Sequence, residues 1–215
     1  MSASLLDVLA GAAGDRSRRL SGVATAIVTN NQDPDKRGRV KVKFPWFSDQ
    51  NESDWARVAA PMAGKDRGLF TLPEVGDEVL VAFEMGDIRF PYVVGSLWNA
   101  RDTPPENNSD GKNNKRELKS RSGHIVRLDD TDNDGKIEIL DSSGKNTIVI
   151  ATKDNKITIS ADSDITIQSA NGKLKISAKG VEITSKADVK IEAQQDINLK
   201  ATGQLNAKGS TINLN

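Results

Sequence analysis

From residue 137 onwards the chain repeats one short pattern, two aliphatic side chains flanking a single residue and then a polar turn. The doublets are Ile137/Ile139, Ile148/Ile150, Ile157/Ile159, Ile165/Ile167, Leu174/Ile176, Val181/Ile183, Val189/Ile191, Ile197/Leu199, Leu205/Ala207 and Ile212/Leu214. Their first members are spaced 11, 9, 8, 9, 7, 8, 8, 8 and 7 residues apart, so the period settles at eight. Residues two apart share one face of a strand. Each octad therefore reads as one short strand with an apolar inner side, closed by a turn of Ser, Ala, Asn, Lys or Gly. Self-similarity at a fixed period is the signature of a repeat architecture.

Such an octad cannot stand by itself. Burying two aliphatic side chains falls short of the conformational entropy lost in ordering eight residues. Each octad must share its core and its ladder hydrogen bonds with neighbours, either later turns of the same chain or other chains. Three octads make about 24 residues, a plausible solenoid turn, so the period leaves a one-chain β-helix and three intertwined chains both open. The small inner residues and the missing aromatics favour the narrow, multi-chain version. Its expected core is Ile148, Ile150, Ile157, Ile159, Ile165, Ile167, Leu174, Ile176, Val189, Ile191, Ile197 and Leu199.

Composition divides the chain in two. All nine aromatics (three Trp, one Tyr, five Phe) lie between Phe44 and Trp98, and all seven prolines between Pro34 and Pro105. Residues 21–99 are long enough for a conventional small domain with large side chains inside. Six short strand-like runs, VATAIVTN, RVKVKFPW, ARVAAP, GLFTLP, DEVLVAFE and PYVVGSLW, are separated by Asn, Asp, Pro or Gly. Five or six short strands in this length predict a small barrel of the OB type. Residues 1–20 read as a short helix with Leu5, Leu6, Leu9 and Ala13 on one face. Residues 100–123 hold one large apolar residue, Leu118, and read as an exposed connector to a repeat domain over residues 124–215.

The charges balance, 30 Lys+Arg against 30 Asp+Glu, which removes the electrostatic case for a dedicated nucleic-acid or anionic-membrane binder. The absence of Cys excludes a disulfide framework, thiol redox chemistry and thiolate metal sites. The first residues lack a basic n-region and are interrupted by Asp7, and no apolar run approaches the roughly 18 residues of a membrane span. Synthesis and retention in the cytoplasm is the resulting expectation.

Four constellations compete with a purely structural reading. Asp130, Asp132, Asp134, Gly135 and Asp141 match the spacing of a calcium-binding EF-hand loop. The flanking residues alternate like strands, so a polar hairpin turn is the expected role. Lys36, Arg37, Arg39, Lys41 and Lys43 beside Trp46 and Phe47 resemble a phosphate-tracking strand, but Asp33 and Asp35 offset them and a structural or partner-facing surface is favoured. His124 has no nucleophile context and reads as a turn or strand-start residue. Asp162 and Asp164 sit in a fully polar repeat turn, where nothing would raise one carboxyl pKa as a glycosidase needs.

The stretch DPDKRGRVKVKFPWFSD (residues 33–49), continued by WARVAAPMAGKDRGLFTLPEVGDEVLVAFEMGDIRFPYVVGSLWNARDTPP (residues 55–105), resembles the OB region of VgrG and phage baseplate V spike proteins. The segment NNKRELKSRSGHIVRLDDTDNDGKIEIL (residues 113–140) is similar to the connector by which that family enters its triple-stranded β-helix. The resemblance implies an all-β homotrimeric central spike of a contractile injection machine, whether a phage tail, a type VI secretion system or an extracellular particle. It implies a tube-adapter hub above the OB domain, other baseplate components around it and a PAAR-type tip protein at the far end. The target membrane would be met only on firing, after cytoplasmic synthesis and assembly into a tail or tail-like particle.

The chain departs from the family pattern before Ser21, where no large hub domain stands, so the hub is expected to be a separate polypeptide contacted around Leu5, Leu6 and Leu9. Residues 100–123 are too short for a lysozyme-like insert, so no enzyme activity and no cofactor are expected. His124 is the sole His and the C-terminal end is STINLN, unlike a metal-binding His-x-His apex. Ile212, Leu214 and Asn215 are the expected platform for the tip protein. Two rival readings are a glycan-binding tailspike-like β-helix, disfavoured by a repeat without aromatics, and an OB nucleic-acid binder with an oligomerising tail.

Overall fold

A computed structural model of the chain describes Leu20, residues 22–47 and residues 51–213. It is all-β, and the one helical assignment among the described residues is a 3-10 turn at Glu84–Gly86. The chain divides into two units, Met1–Asp162 and Ser163–Asn215. The expected N-terminal helix, with Leu5, Leu6 and Leu9, lies outside the described residues.

The first part of the chain forms seven strands: β1 (Val23–Asn30), β2 (Lys41–Lys43), β3 (Arg57–Val58), β4 (Ala63–Gly64), β5 (Arg67–Gly68), β6 (Glu78–Phe83) and β7 (Pro91–Ser96). Five of them make a sheet in the order β2-β1-β6-β7-β3, in which only the β3–β7 pair is parallel. The two edges of this sheet meet through the bridges Val40–Ala56 and Lys43–Glu52. Val40 and Ala56 exchange backbone hydrogen bonds of 3.0 and 2.8 Å, and the Ser53 amide donates to the Val42 carbonyl at 2.8 Å. The result is the five-stranded OB arrangement, with no long open edge. Register shifts in β1 between Val28 and Asn30, and in β6 between Leu80 and Val81, supply the extra bending that closure needs.

Strict alternation fills the interior. Ala24, Ala26 and Val28 of β1, Val79, Val81 and Phe83 of β6, and Val40, Val42 and Phe44 around β2 are buried, while the residues between them face outward. The expectation of large side chains inside is met only by Phe44 and Phe83, whose ring centroids are 5.7 Å apart. The largest fully buried side chains are all valines, and Trp46, Phe70, Phe90 and Trp98 are exposed. A narrow closed barrel has room for β-branched residues but not for indoles. The run GLFTLP is not a strand beyond Gly68. Arg67 and Gly68 instead pair with β4 in an exposed two-residue hairpin, and the chain from Leu69 to Pro73 makes no ladder.

The β1–β2 loop is organised by one carboxylate. Asp33 accepts hydrogen bonds from the backbone amides of Asp35, Arg37 and Arg39 and from the Arg39 guanidinium at 2.9 and 2.7 Å. Its side chain is only 3% exposed, and the charged Arg39 holds its pKa well below the usual carboxylate range.

A second sheet is an antiparallel meander of β8 (Lys115–Lys119), β9 (Ile125–Asp129), β10 (Lys136–Leu140), β11 (Thr147–Ala151) and β12 (Lys156–Ser160). The strand β8 falls in the stretch that composition marks as a connector. Beyond Asp162 no strand is assigned among the described residues. The chain there runs as extended segments broken by bends at Ala170–Gly172, Lys179, Lys186–Ala187, Gln194–Gln195, Thr202–Gly203 and Ser210. These bends follow the eight-residue spacing of the sequence.

Candidate functional site

The meander places its aliphatic residues in two cross-strand rows on one face. Val126, Ile139, Ile148 and Ile159 stand opposite one another in register, as do Leu128, Ile137, Ile150 and Ile157. Leu118 of β8 extends the first row, whereas Arg116, opposite Leu128, ends the second with a charge. All nine apolar side chains are between 39 and 66% exposed. A contiguous uncovered aliphatic surface of this kind marks an interaction site rather than ordinary solvated surface.

The other face inverts the usual order. Glu117, Arg127 and Glu138 lie directly across from one another on β8, β9 and β10, and Arg127 bonds Glu117 at 2.7 Å and Glu138 at 3.3 Å. The Glu117 hydrogen bond holds the Arg127 pKa further above its usual value. Asp129 and Glu138 are buried, and Asp129, bonded by the Thr131 hydroxyl and amide, has a lowered pKa. The charged face is thus sheltered while the greasy face is open to water. Opposite charges directly across an antiparallel pair stabilise the pairing, so the ladder gains from the very residues that a simple inside-outside rule would place in solvent.

In Ser163–Asn215 the large aliphatic members of the doublets, from Ile165 to Ile212, are 51 to 74% exposed. No backbone hydrogen bond joins one described segment of this unit to another. Its internal polar contacts are short-range, such as the Ala187 amide to the Ser185 hydroxyl at 3.2 Å and Lys190 to Glu192 at 2.8 Å. Extended backbone without a ladder leaves donors and acceptors that a folded state satisfies elsewhere.

The residues expected to form a shared core fall into these two groups. Ile148, Ile150, Ile157 and Ile159 lie together on the meander face, whereas Ile165, Ile167, Leu174, Ile176, Val189, Ile191, Ile197 and Leu199 lie along the ladderless segment. Ile212 is half-exposed near the end of the described chain, and Leu214 and Asn215 lie outside it. Asp130, Asp132 and Asp134 sit in the β9–β10 hairpin connection, and Asp130 pairs with Arg116 at 2.6 Å. Asp141 is at the opposite end of β10, where Ser143 and Asn146 donate to it and pull its pKa down to about 2. Among the described residues, no group of three or more His, Cys, Asp or Glu could hold a metal ion.

Three members of the basic run, Arg37, Arg39 and Lys41, are drawn into ion pairs or ring contacts. Arg39 bonds Asp33 and Asp35, Lys41 lies 3.4 Å from Glu52, and both cations stand within 6 Å of the Trp55 ring centroid, at 5.8 and 5.6 Å. His124 immediately precedes β9, its Nδ1 accepting from the Ser142 amide at 3.1 Å.

One feature escaped the sequence reading. A groove of about 990 Å³ opens along the Val126–Ile159 row, walled by Phe70, Leu72 and Pro73 of the barrel. Phe70 is 80% exposed there. A signal was present, since GLFTLP carries three bulky apolar groups next to a proline that cannot donate to a ladder.

Comparison with known proteins matches residues 24–98 to the OB domain of type VI secretion system and phage-baseplate injectors. The type VI secretion system spike protein VgrG1a of Pseudomonas aeruginosa is 39% identical over 92 residues, 39% of this chain and 14% of that protein. The spike protein VgrG2a of the same organism is 37% identical over 105 residues, 45% of this chain and 12% of its own. VgrG3 of Vibrio cholerae is 45% identical over 75 residues, 33% of this chain and 7% of its own. The chain thus spans well under a fifth of the length of these relatives.

Proposed function

We propose that this chain, whose residues 24–98 match the injector OB domain and resemble that of VgrG spike proteins, is a non-enzymatic, homotrimeric spike of a contractile injection system. The observation that carries the reading is uncovered aliphatic side chains, present on the meander face and again along octads that have no backbone partner among the described residues. Three copies, each lending the others ladder hydrogen bonds and apolar cover, resolve both deficits at once. The octads then form an intertwined β-helix, in which bending or peeling one chain breaks hydrogen bonds to the other two. That mechanical property suits a shaft driven into a target envelope by a contracting sheath.

A tube-adapter hub supplied as a separate chain would meet the N-terminal segment around Leu5, Leu6 and Leu9. A PAAR-type tip protein would dock on Ile212, Leu214 and Asn215. The ion pairing of Arg39 and Lys41 supports a structural rather than a nucleic-acid-binding role for the barrel's basic strand. Light scattering on the purified chain tests the central point: three copies of a 23.2 kDa chain give about 70 kDa. A mass near that of one copy, with a folded β spectrum, would overturn it.

A further inference from the structure

We propose that the β8–β12 meander, rather than the octads, fixes the register in which three copies of this chain come together. This rests on the trimeric reading above and extends it. An octad repeat is poorly suited to setting register. Leu174/Ile176, Val181/Ile183, Val189/Ile191 and Ile197/Leu199 are near-equivalent doublets spaced 7, 8 and 8 residues apart. Sliding one copy by an octad sets aliphatic side chains against aliphatic side chains again, so contacts are lost only at the ends. Strand register is strongly specified only where a shift exposes or buries the wrong groups.

The meander has that property. Its ladder is complete within one chain, so its strands are already positioned before a second copy arrives. Its second aliphatic row ends on Arg116, held by Asp130. Displacing a neighbouring copy by one strand would press that ion pair against an aliphatic layer, where stripping its water is costly. Along the first row, the barrel adds a wall. Phe70, Leu72 and Pro73 stand over the Val126–Ile159 row and occur once per chain, so they stop a neighbour at a single axial position. The occupant of the groove is a second copy of this chain. The doublet pattern that floors it continues into octads that lack backbone partners, and a chain with the same period is what matches both.

The test uses the full chain with a nitroxide label on Asn206→Cys, the chain having no native Cys. Ile139→Asn with Ile148→Asn is compared with Ile183→Asn with Ile191→Asn, each pair removing two aliphatic side chains. Substitutions at a folding nucleus slow folding, and those elsewhere mainly speed unfolding. The octad pair should keep one narrow inter-label distance and a refolding rate within about twofold of wild type, because it lies outside the nucleus. The meander pair should give several distances and refold at least about tenfold more slowly. Phe70→Ser, which leaves every strand intact, decides the matter if the meander pair does not fold, and should add a second distance population. A single unchanged distance in the meander pair or in Phe70→Ser overturns the proposal. Wild type scattering as a single copy would instead sink the trimeric reading itself.

Discussion

The barrel and the octads are built from the same aliphatic alphabet and reach opposite ends of the burial scale. Val79, Val81 and Val42 are completely buried within a five-stranded sheet whose edges meet, whereas Ile167, Ile183 and Leu199 stand exposed beside backbone that pairs with nothing among the described residues. Hydrophobic content does not separate the two regions. Closure does: the barrel's edge strands, β2 and β3, reach each other across Val40 and Ala56, and an octad ribbon with a constant period has no such return. The meander stands between them, with a complete ladder but one open face.

The sharpest way to break this contrast is truncation in an octad. If copies cover Ile191, Ile191→Ala costs about 2–5 kcal/mol per copy, felt three times per assembly, and the melting temperature becomes dependent on protein concentration. A shift within about 0.5 kcal/mol, the range of ordinary surface substitutions, would mean the octads stay solvated. The barrel should answer differently. The Ser53 hydroxyl accepts from the Val42 amide at 3.1 Å and donates to the Asp54 carbonyl at 2.7 Å, at the point where the sheet's edges meet. Ser53→Ala should cost about 1–3 kcal/mol in a denaturant titration followed by tryptophan fluorescence, with no dependence on protein concentration.

The smallest effect concerns the meander's β10–β11 turn. Asp141 has a folded pKa lowered to about 2 by Ser143 and Asn146, below its unfolded value of about 3.9. Its contribution is therefore present above about pH 4 and is lost as pH falls towards 2. Hydrogen exchange of the Gly144 and Asn146 amides, which donate to Asp141, should accelerate across that window relative to neighbouring turns. Asp141→Asn should flatten the dependence.

The sequence exposed the repeat plainly, because alternating doublets are a strand signal that needs no partner to be recognised. It was less informative about where repetition begins. Ile137/Ile139, Ile148/Ile150 and Ile157/Ile159 look like the later doublets, yet they belong to hairpins; only the first spacing, 11, stands out, since the next, 9, recurs between Ile165 and Leu174. The strand β8 was illegible because KRELK carries one aliphatic residue and pairs through Glu117–Arg127 instead. The barrel's strands could be read from composition, but its filling could not: of the aromatics, Phe44 and Phe83 are inside while Trp46, Phe70, Phe90 and Trp98 are exposed, since burial depends on barrel radius and not on side-chain hydropathy alone. The OB resemblance agrees with the injector OB match over residues 24–98.

The missing ladder in the octads has a consequence for synthesis. Unless companion copies cover it, as in the proposed trimer, each such segment presents two raw margins of N–H and C=O groups, the kind of template on which amyloid grows. Lys175, Glu182 and Lys190 each sit between the two members of a doublet, and a charge at that point acts as a gatekeeper against stacking with unrelated chains. Because the octads follow the barrel in the chain, they leave the ribosome after it, when the barrel sequence is already free to close.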